Sequence, residues 1–391
     1  MAPFARHQTE IYASGLDGVV PELPTDLTRL ESIAEERLAA DVFGYVAGSA
    51  GSEATARANR AAFDAWRIVP RLLRDVSAPD MAVTVLGTAM PAPVALAPIG
   101  LLGIVHPEGE LVAARAAAAL GLPMVVSSCA TAMLEDVAGA GGGGPQWFQL
   151  YWSKDRDVAA SFLERADAAG YLALVVTLDT PTMGWRPRDL DGAFLPFLRG
   201  VGNQNYLADP AFERAVGGPV TDENRASALL HWAATFGNPA LTWEDLTFLR
   251  DHWRRPIALK GIQHPDDARR AADAGMDGVV VSNHGGRQVD GAIGSLDALP
   301  AIAEAVGDRV AVLFDSGVRS GADAVKALAL GARAVLLGRP YVYGLGLEGE
   351  AGVTHVLRCI LAELELTMML SGASRPAELT PELLVRAVTE G

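Results

Sequence analysis

The chain has 391 residues, half of them apolar, and a formal net charge of −15. This is enough for one large hydrophobic core or two ordinary ones, and an acidic chain without a Lys/Arg cluster is a poor nucleic-acid binder. Cys129 and Cys359 cannot make a disulfide framework, the N-terminus has no apolar signal core, and the greasiest stretch, residues 91–105, is too short and too broken by Pro and Gly to span a membrane. A cytoplasmic protein is therefore expected.

Residues 1–90 predict a helical segment, carried by DLTRLESIAEERLAADVFGYVAG (26–48) and ANRAAFDAWRIVPRLL (58–73). Short apolar runs then follow at 94–100, 124–128, 146–151, 172–179, 256–261, 278–283, 311–317 and 334–339. Most are continuously apolar, as parallel strands buried on both faces should be. Between them lie helical stretches such as 157–170, 264–275 and 320–332, several closed by glycine. Eight β–α units over residues 91–345 predict a (β/α)8 TIM barrel; a doubly wound open sheet is the alternative. A long insertion at about 187–242 interrupts the repeat after strand four and reads as a lid over the barrel mouth. Residues 346–391 read as C-terminal helices.

In this architecture the C-terminal strand ends carry the chemistry. Strand three ends in Gln149 and Tyr151, strand four in Thr177 and Asp179 with Arg186 soon after, and strand five in Lys260. Strand six delivers His284 and Arg287, strand seven Asp315 and SGVRSG (316–321), and strand eight Gly338 and Arg339. His284 titrates near neutrality and can act as a base, with Asp179 to fix its tautomer. Arg287 and Arg186 can clamp a carboxylate. Alone, His284 would be a strand cap and Arg287 a surface ion pair; the polar groups at the other strand ends reverse that reading. DSGVRSG (315–321) and GRP (338–340) fit the barrel phosphate site, against two ordinary glycine turns. Lys260 suits a Schiff base or a place beside a cofactor ring. GLGLEG (344–349) does not directly follow a strand, so a dinucleotide site is rejected. With no H-E-x-x-H and no Cys/His cluster in the sequence, no metal site is expected. Cys129 reads as a packing residue.

SNHGGRQ (282–288) resembles the active-site signature of the FMN-dependent α-hydroxy-acid oxidising enzymes. The likeness extends over YVAGSAGSE (45–53), PRLLRDVS (70–77), APIG (97–100), WFQLY (147–151), TLDTP (177–181), LKGI (259–262), FDSGVRSGADAVKALALGA (314–332) and GRP (338–340). Within that family, EIYASGLDGVVPELP (10–24), GWRPRDL (184–190), FLPFLRG (194–200) and LKGIQHPDDARRA (259–271) are most similar to the lactate 2-monooxygenases. The resemblance implies FMN as cofactor, a small L-2-hydroxy acid and O2 as reactants, and a homo-oligomer built on tetramers, as a tetramer or octamer. It implies His284 as base, Asp179 as its support, and Arg287, Arg186 and Tyr45 on the substrate carboxylate. Tyr151 would meet the substrate hydroxyl. Lys260 would stabilise the reduced flavin. Ile99, Gly100, Ser127, Gln149, Thr177 and Ser282 would surround its ring, Asp315 the ribityl chain, and Gly317, Arg319, Gly338 and Arg339 the phosphate. Two departures leave the substrate side chain open. Cys129 stands where glycolate oxidases carry tryptophan, and HPEGE (106–110) looks like glycolate oxidase rather than the monooxygenases.

Overall fold

The computed structural model of the protein describes residues 3–387. Eight parallel strands close into a barrel: β1 (Val94–Leu96), β2 (Met124–Ser127), β3 (Gln146–Tyr151), β4 (Leu174–Thr177), β5 (Ile257–Ile262), β6 (Gly278–Val281), β7 (Ala311–Phe314) and β8 (Ala334–Leu337). Each pairs with the next in sequence, and β8 returns to β1. Several predicted runs extend beyond the ladder, because their last residues leave the sheet to form the mouth.

Successive strand residues face opposite sides, and this period organises the interior. Val125, Trp147, Ala173, Val175, Ala258, Val280, Leu313, Ala334 and Leu336 form one apolar cluster inside the barrel. Their neighbours on the outer face, such as Val126, Phe148, Leu150, Val176 and Val312, join the larger core under the helices. Two residues further along the inner face the side chains turn polar: Ser127 after Val125, Gln149 after Trp147, Thr177 after Val175, Lys260 after Ala258, Ser282 after Val280 and Asp315 after Leu313.

The floor is closed by a hairpin, Val83–Val85 and Thr88–Met90, absent from the sequence reading. Its turn residues Leu86 and Gly87 both have positive φ (49° and 72°), the geometry of tight hairpins. Val85, Leu86 and Met90 pack into the inner cluster, and the buried Trp147 Nε1–H donates to Thr88 Oγ1 at 2.9 Å.

The N-terminal segment forms helices Arg6–Leu16, Leu30–Arg37, Ala40–Ala47 and Ala54–Asp64. Two expectations need correction. The run after Asp64 is not helical: Trp66–Ile68 is a strand, paired antiparallel with Leu384–Arg386. The C-terminal region is one helix, Arg339–Leu370, broken at Glu348–Gly349, followed by short turns opened by Pro376 and Pro381. The helix stops where Gly372 adopts a left-handed conformation (φ 82°), a common glycine C-cap. GLGLEG lies within the long helix, where a Cβ on Gly344 would stand 2.6 Å from the Gly352 carbonyl oxygen; that glycine serves packing.

The insertion after β4 folds as short helices, Pro187–Asp191, Gln204–Leu207, Pro210–Ala215 and Arg225–Thr235, with a 3-10 turn at Pro196–Arg199. The buried Asp209 carboxylate anchors it. It caps Pro210–Ala215 through two backbone N–H groups and accepts from Ser161 Oγ and Arg165 on the barrel helix Arg156–Ala168. Trp232, Phe197 and Phe236 form a triangular aromatic cluster, with ring centroids 5.2, 4.8 and 6.1 Å apart.

Candidate active site

A cavity of about 520 Å³ opens at the C-terminal end of the barrel, roofed by Leu195, Phe197, Trp232 and Phe236 of the insertion. Of the residues singled out in the sequence, Tyr45, Ile99, Gly100, Tyr151, Arg186, Lys260, His284, Arg287, Asp315, Gly317, Arg319, Gly338 and Arg339 line it. Ser127, Gln149, Thr177, Ser282 and Asp179 lie behind the wall rather than on it. The first three form a buried chain: Ser127 Oγ donates to Gln149 Oε1 (2.9 Å) and Gln149 Nε2 to Thr177 Oγ1 (2.9 Å). Lys260 Nζ donates to Ser282 Oγ at 2.8 Å and meets Asp315 Oδ2 at 3.0 Å. Burial alone would lower the Lys260 value, but Asp315 and Asp179 outweigh it and hold the ammonium charged.

Lys260 points into the cavity because it stands two residues after the inner-face Ala258, and β5 bulges only beyond it, between Lys260 and Ile262. Gly261 has φ 106°, and a Cβ there would lie 2.7 Å from the Asp179 Cβ. Only glycine lets Asp179 lie against this strand.

His284 sits just past β6 in a left-handed conformation (φ 58°). Its Nδ1 is 2.8 Å from Asp179 Oδ1 and its Nε2 is 3.5 Å from the Tyr151 hydroxyl. Burial pushes the imidazole below its ordinary value, and the attraction of Asp179 does not offset that. Burial would raise Asp179, but His284 and Lys260 bring it below the ordinary value. The carboxylate is thus ionised and can only accept, so Nδ1 carries the proton and the Nε2 lone pair is free. Burial raises Tyr151 and Tyr45, which stay protonated donors.

Two cations share one wall. Arg287 donates to the carbonyls of Tyr45 (2.7 Å) and Gly48 (2.5 Å) and stacks 5.0 Å from the Tyr45 ring centroid. Arg186 donates to the Arg287 carbonyl (3.0 Å) and Gln288 Oε1 (2.8 Å). Burial, then repulsion from Arg287, brings Arg186 down to about 10. The nearest acid, Asp189, is 3.9 Å from Arg287, and neither of its buried oxygens has a hydrogen-bond partner. The wall is under-neutralised and suits an anion.

A second cationic corner lies where β7 and β8 end. Arg339 donates to the carbonyls of Val46, Gly48 and Gly285 and to Ser49 Oγ, with no carboxylate partner among the described residues. Burial brings it down to about 10. Gly338 caps the Arg339–Leu370 helix, and Arg319 and Gly317 complete the corner.

Sequence reasoning missed several supports. Gln288 holds Arg186 and also donates to the carbonyls of Asp179 (2.7 Å) and Thr182 (2.9 Å); its position beside Arg287 was the available signal. Glu110 stands in the first turn of Gly109–Ala119, where an acid suits the helix dipole. It is instead buried, accepting from the N–H groups of Leu102 and Thr131 (both 3.0 Å) and so tying two mouth loops together. Cys129 is buried and lines the cavity, and a Cβ on Gly100 would lie 3.1 Å from its Cβ.

The sequence pattern of the FMN-dependent dehydrogenase family matches residues 34–386. The chain belongs to that family. The FMN-dependent alpha-hydroxy acid dehydrogenase qulF of Penicillium citrinum is 45% identical over 387 residues, spanning 98% of this chain and 96% of the relative. An L-lactate oxidase of Lysinibacillus sphaericus is 44% identical and spans 90% of each. A mandelate oxidase crystallised with (S)-4-hydroxymandelic acid superposes with a TM-score of 0.83 at 37% identity, covering 93% of this chain and 99% of that one. This FMN-dependent dehydrogenase is therefore an α-hydroxy-acid oxidoreductase with FMN as cofactor. The residues present fit the cofactor: the Arg339 corner offers uncompensated positive charge and a helix N-terminus to a phosphate. Gly317 packs directly on the Ala54–Asp64 helix, where a Cβ would stand 3.1 Å from Asn59. The cavity volume is in the usual range of roughly 300–1,000 Å³ for small-ligand sites.

Proposed function

We propose that the enzyme oxidises a small L-2-hydroxy acid of lactate size with O2 as acceptor, and that its outcome is that of a lactate 2-monooxygenase: acetate, CO2 and water. FMN, when bound, takes two electrons from the substrate and passes them to oxygen. Arg186 and Arg287 hold the substrate carboxylate, with Tyr45 assisting. His284 Nε2 takes a proton from the substrate, and Asp179 stabilises the imidazolium that forms. The Tyr151 hydroxyl orients the substrate oxygen, and Lys260 supplies positive charge at the cofactor ring. Ile99 and Gly100 would flank the ring, the Ser127–Gln149–Thr177 chain and Ser282 would back it, and Asp315 would meet the ribityl chain. Gly317, Arg319, Gly338 and Arg339 hold the phosphate. The observation carrying this reading is the neutral, carboxylate-oriented His284 beside an under-neutralised arginine pair.

The monooxygenase outcome rests on the aromatic roof. If Trp232, Phe197 and Phe236 retain the 2-keto acid with the peroxide, the two react: the keto acid loses CO2 and the peroxide is reduced to water. A plain oxidase, releasing keto acid and hydrogen peroxide, is the second reading. It is favoured by the likeness to an L-lactate oxidase. We place the enzyme in the cytoplasm as a homo-oligomer of tetramers; among the described residues no helix is long and apolar enough to cross a membrane.

One experiment orders these readings. Anaerobic L-lactate should bleach the oxidised-flavin band rapidly, and aerobic turnover should then yield acetate. Pyruvate with stoichiometric peroxide would select the oxidase. A flavin band that lactate leaves intact but a larger 2-hydroxy acid bleaches would reject the lactate-sized pocket.

A further inference from the structure

Far from the barrel mouth, the Arg6–Leu16 helix packs on the long Arg339–Leu370 helix, and three metal-ligating side chains meet there. His355 and Cys359 are four residues apart on the long helix, so they share one face. His7 comes from the N-terminal helix. The Cys359 Sγ lies 3.5 Å from His355 Nε2 and 3.9 Å from His7 Nε2, and the three ligand atoms all lie within 4.8 Å of one another. In a tetrahedral zinc site, bond lengths near 2.3 Å to sulfur and near 2.05 Å to nitrogen put S and N about 3.6 Å apart. The observed separations fall around that edge length.

The surroundings support the same reading. His7 Nδ1 is buried with no hydrogen-bond partner, and the nearest acid is Glu10 Oε2 at 3.9 Å. His355 Nε2–H donates to the Pro24 carbonyl oxygen at 3.0 Å; a bound metal would replace that proton, with a water completing four-coordination. A surface depression lined by His7, Glu350, Ala351, Thr354, His355 and Arg358 gives ions access.

We infer that His7, His355 and Cys359 form a structural binding site for a borderline-soft divalent cation, zinc by its ligand set, which fastens the N-terminal helix to the C-terminal one. The ligands explain why a fastening is useful. The Arg6–Leu16 helix has no buried residue, and its other ties are few. The Glu365 carboxylate accepts from the N–H groups of Phe4 and Ala5, and Glu10 pairs with Arg358. Loss of the Cys359 proton to solvent accompanies binding, so affinity falls on acidification. The chemistry involves no electron transfer.

The test uses the holoenzyme with zinc and cobalt(II) as probes. After dialysis against a chelator, the protein should take up one zinc per chain. Cobalt(II) should give tetrahedral absorption at roughly 600–750 nm, where oxidised flavin is transparent. Cys359→Ser and His355→Ala should weaken uptake at least 100-fold, and His7→Ala at least 10-fold, all with unchanged flavin reduction by substrate. Zinc should also slow proteolytic removal of the N-terminal helix several-fold in the wild type and not in Cys359→Ser. Should a long-helix variant fail to fold, His7→Ala carries the test alone, because its helix lies on the outside. No retained cation in the wild type, or equal uptake by wild type and His7→Ala, would overturn the site. Full uptake with unchanged proteolysis would overturn the fastening role.

Discussion

At the scale of single residues, the His284–Asp179 pair controls the proposed chemistry. The histidine must be neutral to accept a proton, and its value lies below the ordinary imidazole value of about 6.5. The rate of flavin reduction should therefore be flat above neutrality and fall only on acidification, with an inflection below that ordinary value. In stopped flow, Asp179→Asn should slow reduction on the order of 10²- to 10⁴-fold and move the inflection lower still, since the charge that favours the imidazolium is gone. A change under threefold would remove Asp179 from the mechanism. His284→Ala should retain FMN yet leave it unreduced by substrate; unchanged reduction would discard the base assignment. These residues were legible because each stands at the end of an apolar run, in a pattern a barrel makes meaningful. Glu110, Gln288 and Asp189 were not. Their roles depend on backbone donors, carbonyls and guanidinium groups brought from other loops; for Gln288 only its place beside Arg287 hinted at this, and for Glu110 and Asp189 no local spacing encodes such partners.

At the scale of elements, all eight barrel strands could be read in advance, since runs buried on both faces have an unmistakable composition. The floor hairpin escaped because Leu86 occupies a positive-φ turn position usually marked by Asn or Gly. The His/Cys cluster escaped for a different reason. Only the His355–Cys359 spacing is local, and His7 is 348 residues away from His355 in sequence, a separation (355 minus 7) that the docked helices alone close. The insertion was read as a lid from its length, and its aromatic stack gives that idea a test. Trp232→Ala deletes one ring of the Phe197–Trp232–Phe236 cluster. The loss of local packing should be about 3–5 kcal/mol, much of it confined to the insertion because Asp209 anchors the rest. Limited proteolysis within 190–240 should accelerate. In aerobic turnover with lactate, the product should shift from acetate toward pyruvate and peroxide. An unchanged product ratio despite faster cleavage would separate lid closure from the oxidative outcome.

At the scale of the whole molecule, the two ends of the barrel are built differently. The floor is apolar and closed, with Trp147 hydrogen-bonded to the hairpin. The mouth collects the costly features: left-handed backbone at Leu101, His284 and Ser316, and the arginines Arg186, Arg287 and Arg339, of which, among the described residues, only Arg287 has a carboxylate near it, Asp189 at 3.9 Å. Strain and unpaired charge of this kind persist where the surroundings or a ligand compensate them. FMN should then stabilise the fold through the same groups that bind it. At free FMN 100-fold above its Kd, linkage gives about 2.7 kcal/mol, or about 3 °C in Tm for a chain of this size. Inorganic phosphate at tens of millimolar, matched in ionic strength with chloride, should raise the Tm of the apoprotein and leave that of the FMN-loaded enzyme nearly unchanged, because in the proposed site the cofactor phosphate would already occupy the Arg319–Arg339 corner. Equal shifts in the two forms would mean that phosphate acts elsewhere, and that the charge at the ends of β7 and β8 is balanced by something other than the cofactor.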